Sequence, residues 1–101
     1  MDVNVREDDT QIEIVPVGNL DSKGSVDLQN ALNEIFEKKT GVRCVIDFTS
    51  IPFVSSAGLR VLLLAMKKIT AGGGSLELTN LSESTKEVFN MTGFSSILKI
   101  V

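Results

Sequence analysis

Two adjacent serines, Ser55 and Ser56, stand in "FVSSAGLRVLLLAM", where a loop gives way to a strongly apolar run. The first turn of a helix presents unpaired backbone N–H groups and partial positive charge, so a serine there has two chemical uses. As a cap, its hydroxyl accepts from a backbone amide and fixes the helix start. As a phosphoacceptor, it holds an anion where N–H groups and dipole favour one. Both uses are open for Ser56 on local chemistry, and a cap is the simpler one. Asp21, in "GNLD", reads in the same way as the cap or turn residue before an earlier helix. Asp47 ends an apolar run and is suited to holding the following loop through its backbone amides.

Other chemistries are excluded by residue type. The chain has no histidine, so Ser-His-Asp and Cys-His constellations cannot form and zinc sites lose their commonest ligand. "VSSAG" lacks the first glycine of a nucleophile elbow, and there is no G-x-x-x-x-G-K-[ST] phosphate loop. Cys44 is the one cysteine, so neither an internal disulfide nor a thiolate cluster can form, and it reads as a small core residue. These absences argue against an enzyme, and no cofactor or metal is expected. Net charge is −3 and the basic residues are scattered, without Trp or Tyr to stack bases, so no nucleic-acid partner is expected. No apolar run approaches the roughly 20 residues a bilayer span needs, and "MDVNVREDD" opens acidic where a secretory segment is basic. A soluble, cytoplasmic protein with no membrane partner is the expectation.

The elements that position the serines follow from periodicity. Residues 2–7 and 10–17 read as a hairpin turning at Asp8 and Asp9, with Ile12, Ile14 and Pro16 alternating with Gln11, Glu13 and Val15. Leu28, Leu32, Ile35 and Phe36 fall at i, i+4, i+7 and i+8 within a first helix over 22–39, ended by Thr40 and Gly41. "VRCVIDF" is a continuous apolar strand. A second helix over 56–71 stops at Gly72-Gly73-Gly74, and "SLELTN" is the fourth strand. Ser82 or Ser84 opens a third helix, Ser84 making a capping box with Glu87, and Gly93 closes it before a last strand at "ILKIV". The order is ββαβαβαβ in one domain over 1–101: an α/β fold with a mixed, mostly parallel sheet, helices mainly on one face and the other face thinly covered. The second helix is apolar on two sides. Leu59, Leu62, Leu63, Met66 and Ile69 make a core stripe, whereas Ala57, Val61 and Leu64 face away, as an interaction strip or as a contact with a neighbouring helix.

This order, with "GNLD" after the second strand, "IDFTSIPFVSSAGLRVLL" and "MTGF" closing the third helix, resembles the STAS domain, and specifically the stand-alone bacterial anti-sigma factor antagonists. The resemblance covers essentially the whole chain. It implies an antagonist that binds an anti-sigma factor serine kinase and so releases the sigma factor. Phosphorylation at the second helix start blocks binding, and a serine phosphatase restores it. The family's block set on "SSAGL" places the phosphoacceptor on Ser56, with Ser55 where many members carry aspartate. Ala57 and Gly58 would leave the backbone open for the kinase, and Asp21, Ser55, Ala57, Gly58, Val61 and Leu64 would form the partner surface of a monomer or weak dimer. An alternative within the resemblance is an unphosphorylated structural or regulatory subunit of a transporter ATPase or signalling assembly.

Overall fold

The computed structural model describes residues 1–101. In it, period-two patterning buries Ile12, Ile14 and Pro16 of β2 (Gln11–Val17) and leaves Gln11, Glu13 and Val15 on the other side. β1 (Asp2–Glu7) pairs antiparallel with β2. Asp8 closes the turn between them. Its Oδ1 accepts from the amides of Thr10 and Gln11 at 2.8 Å each and from the Thr10 hydroxyl at 3.0 Å. All later pairings are parallel: β3 (Arg43–Asp47) on β2, β4 (Ser75–Thr79) on β3 and β5 (Lys99–Ile100) on β4, so spatial order equals chain order. The crossovers are α1 (Ser22–Lys38), α2 (Ser56–Ala71) and α3 (Glu83–Met91), which gives the expected ββαβαβαβ order.

Register makes the sheet one-sided. Ile12, Cys44 and Leu76 form one cross-strand row and Ile14, Ile46 and Leu78 the next, all buried. Leu28, Leu32 and Ile35 of α1, Leu59, Leu62 and Ile69 of α2, and Phe89 of α3 close over these rows in one core. Phe89 meets Phe48 edge-on, ring centroids 6.2 Å apart, and so anchors α3 beside the end of β3. The opposite face carries Arg6, Glu13, Arg43, Glu77 and Lys99, and its buried apolar residue, Val45, stands outside the main core cluster. The expectation of helices on one face is met.

Two local readings are corrected. The cap of α3 is Ser82, whose Oγ accepts from the Thr85 amide at 3.2 Å; Ser84 lies inside the first turn and makes no capping box with Glu87. Thr85 is the buried residue three positions beyond the cap, and its hydroxyl also bonds Ser82, so the core fixes which serine starts the helix. Between Gly93, at φ 79°, and β5 the chain makes a 3₁₀ turn, Phe94–Ser96, and β5 shortens to two residues.

Candidate functional site: the serine pair at the start of the second helix

One backbone bridge builds the site. Leu20, just beyond β2, pairs in parallel with Val54: its amide donates to the Phe53 carbonyl at 2.8 Å, and the Ser55 amide donates to the Leu20 carbonyl at 2.9 Å. The bridge continues the β2–β3 side of the sheet past the strand ends and sets the starts of α1 and α2 side by side.

The two serines then divide the roles that the sequence left open for one. Ser55 is the N-cap, with extended backbone (φ −91°, ψ 172°). Its Oγ accepts from the Gly58 amide at 3.3 Å and donates to the Leu20 carbonyl at 3.0 Å. Ser56 is the first helical residue. It is exposed, and its hydroxyl makes no hydrogen bond within the chain. The cap reading for Ser56 is therefore corrected: the cap lies one residue earlier. Asp21 caps α1, Oδ1 accepting from the Gly24 amide at 2.8 Å.

Gly58 does not open the backbone. It is buried, and a Cβ there would lie 2.7 Å from Leu20 Cγ and 2.8 Å from the Leu20 carbonyl oxygen, so glycine is what lets α2 approach the Leu20 bridge. Ala57 beside it is half-buried.

The Ala57, Val61 and Leu64 strip is also corrected. Val61 is only 8% exposed and belongs to the core, because α1 packs along that side of α2 and Val61 lines their groove with Leu32. Leu64, one turn on, is 50% exposed. Of the proposed partner residues, Ser55, Ala57 and Leu64 retain exposure near α2, and Val61 and Gly58 do not.

An apolar surface that periodicity did not mark lies on the other side of the serines. Phe53, three residues before Ser56, is 53% exposed and shares a shallow recess of about 120 Å³ with Pro52, Val54, Ser84, Thr85 and Val88. Val88 and Met91 are exposed on α3, which buries only Thr85 and Phe89. The sequence signal was the surplus: apolar residues on a short helix away from its buried pair.

Asp47 holds the loop toward α2 as expected. Oδ1 accepts from the Thr49 hydroxyl at 2.6 Å, the Thr49 amide at 2.9 Å and Asn80 Nδ2 at 3.1 Å. The Thr49 hydroxyl foremost, and then its amide and Asn80, keep this carboxyl below its ordinary range despite the opposing effect of burial. No cluster of three or more His, Cys, Asp or Glu side chains suits a metal ion, and no helix is long and apolar enough to cross a membrane.

The STAS domain model matches residues 2–101. The anti-sigma-B factor antagonist of Listeria monocytogenes is 31% identical over 99 residues, covering 97% of this chain and 86% of that protein. A solved structure from Thermotoga maritima superposes with a TM-score of 0.88 at 19% identity, over 97% of this chain and 84% of that one. The anti-sigma factor antagonist SpoIIAA is known in two forms. Its unphosphorylated structure gives a TM-score of 0.82 at 18% identity, over 99% of this chain and 88% of that one. The phosphorylated Bacillus structure gives 0.75 at 18% identity, over 99% and 91%.

Proposed function

This chain belongs to the STAS domain family, and we propose that it acts as a cytoplasmic anti-sigma factor antagonist switched by phosphorylation of Ser56. The unphosphorylated protein binds an anti-sigma factor that is also a serine kinase and thereby frees the sigma factor. Phosphate on Ser56 blocks the complex, and a serine phosphatase removes it. The observation that carries this reading is the division of labour between the serines: Ser55 is committed to Leu20 and Gly58, while Ser56 is exposed with a free hydroxyl.

The local electrostatics suit the modification. The first turn of α2 contains no acidic residue, and exposed Arg60 lies one turn on from Ser56. A phosphoserine carries about −1.5 to −2 charge, which a helix start favours by roughly 0.3–1 kcal/mol. The helix therefore persists, and the effect falls on the complex. Two like unit charges about 4 Å apart repel by about 4 kcal/mol at an effective dielectric of 20, where each 1.4 kcal/mol is tenfold in affinity. An acidic or closely packed partner surface is rejected. The apolar recess at Phe53 and Val88 is the adjoining surface on which the partner would dock.

The test is incubation with an anti-sigma factor kinase and ATP, followed by mass spectrometry of the phosphopeptide and titration of both forms. Phosphate on Ser56, absent from Ser56→Ala, with at least about tenfold weaker binding of the modified form, is the expected result. Phosphate on Ser55, or equal affinity of the two forms, overturns the proposal.

A further inference from the structure

The two edges of the sheet are unlike. β5 ends it with two residues, whereas β1 presents six in unbroken register on β2, with no proline, lysine or bulge to blunt its outer edge. Rows of an antiparallel pair alternate between hydrogen-bonded and non-bonded. The Asp8 amide donates to the Gln11 carbonyl at 3.0 Å, so, counting back along the register, Arg6, Asn4 and Asp2 bond to β2. Val3 stands opposite Pro16, which has no N–H, in a non-bonded row. The amides and carbonyls of Val3, Val5 and Glu7 therefore point outward, away from β2. On the helix side of this edge, Val5 is exposed and borders, with Val3, Ala31 and Ile35, a recess of about 220 Å³. The charges on its rim balance: Glu7 meets Lys39 at 3.4 Å, and Glu34 is matched by Lys38 one turn on along α1. On the open face, Asp2 makes no ion pair, and Arg6 reaches only Glu13, at 3.5 Å and largely in solvent.

We propose that this edge binds a second copy of the chain: two β1 strands pair antiparallel about a two-fold axis at Asn4, Val3 opposite the partner's Val5 and Asp2 opposite the partner's Arg6. The two five-stranded sheets become one of ten strands. Backbone geometry and charge together select this register. Outward groups on Val3, Val5 and Glu7 admit only registers that set odd-numbered residues opposite odd-numbered ones. Centred on Val3, such a pairing sets Asp2 opposite Asn4; centred on Val5, it sets Val3 opposite Glu7 and Asn4 opposite Arg6. Centres at Asp2 or Arg6 oppose like charges. The register at Asn4 alone matches both charges, and it does so twice by symmetry. Opposed residues share a face, so the valines of both copies meet on the helix side, at the recess. A strand from another protein would satisfy the same backbone groups, but the complementary charge order is present in the chain itself.

The experiment is sedimentation equilibrium of the full chain at up to about 1 mM, beside Asp2→Arg and Arg6→Asp, each alone and the two mixed. The parent should dimerise. Each variant alone opposes like charges twice and should self-associate at least about fivefold more weakly, with its melting temperature kept because both positions are exposed. The equimolar mixture restores both attractions and should regain the parent affinity. Asn4→Cys, on the two-fold axis, should form an intermolecular disulfide faster than Lys67→Cys, an exposed position on α2; Cys44 is buried and takes no part. A parent that stays monomeric, a dimer that neither variant weakens, a mixture no more associated than its components, or equal cross-linking at the two cysteine positions overturns the proposal. None of these residues belongs to the serine pair, so the outcome is independent of the phosphorylation switch.

Discussion

Ser55 and Ser56 differ by one position in sequence and by every contact their hydroxyls make. Ser55 satisfies a helix amide and donates to a bridging carbonyl, whereas Ser56 is free. Removing the first hydroxyl is a structural change and removing the second a chemical one. Ser55→Ala should lower stability by about 1 kcal/mol, the usual cost of losing an N-cap. Ser56→Ala should stay within about 0.5 kcal/mol of the parent, as expected for an exposed position without partners. Urea denaturation of the two variants checks the order, and a reversed order would show that Ser56 holds the helix start. The sequence displayed both serines but not the split between them, because the boundary of α2 is set by the Leu20–Val54 bridge, a contact between residues 34 positions apart. Asp21 was legible for the converse reason: its cap is purely local, three residues from the amide it accepts.

At the scale of the element, α2 is apolar on two sides because it has two neighbours. Leu59, Leu62 and Ile69 face the sheet, and Val61 faces α1. The helical wheel shows both stripes, yet it does not show that α1 lies along the second. Crossover handedness limits where α1 can lie, but which residues it covers depends on packing. Val61→Glu should therefore cost about 3 kcal/mol or more, since it buries a carboxylate among Leu32 and its neighbours. Leu64→Glu, half in solvent, should be tolerated. Thermal melts of the pair test this directly, and equal melting temperatures would return Val61 to the surface. Phe53 was illegible in a different way: it sits in a loop, where no periodicity marks a face. Its exposure beside Val88 makes Phe53→Ser the variant to weaken partner binding. A loss of about tenfold is expected, typical of an exposed aromatic anchor, with an unchanged melt. Calorimetric titration with the anti-sigma factor reads it.

Over the whole molecule, the strand and helix order was readable because each element has its own period and each boundary its own stop signal. The 3₁₀ turn at Phe94–Ser96 has no such signal, because its three residues, between Gly93 and the last strand, are too few to show a period. The one-sided sheet has a consequence for acid stability. Its open face holds Glu77 almost without solvent contact, gripped by Arg43: Nε donates to Oε2 at 2.5 Å and Nη2 to Oε1 at 2.8 Å. The Arg43 hydrogen bonds foremost, with the Arg43 and Lys99 charges, hold Glu77 below its ordinary range against the opposing effect of burial. Asp47, on the same face, is lowered by Thr49 and Asn80. A carboxyl whose folded pKa is depressed contributes stability that is complete above its unfolded pKa, about 4 for both residue types, and lost as pH falls through the folded value. The urea midpoint should therefore be flat from pH 7 to about 5 and should decline progressively below about pH 4. Arg43→Met removes the chief cause of the Glu77 shift. It should lower the midpoint at pH 7 and flatten the decline between pH 5 and 3, because burial, no longer outweighed by Arg43, then raises the Glu77 carboxyl and its protonation ceases to favour unfolding. A decline as steep as in the parent would show that acid unfolding is governed elsewhere, with Asp47→Asn the next variant to measure.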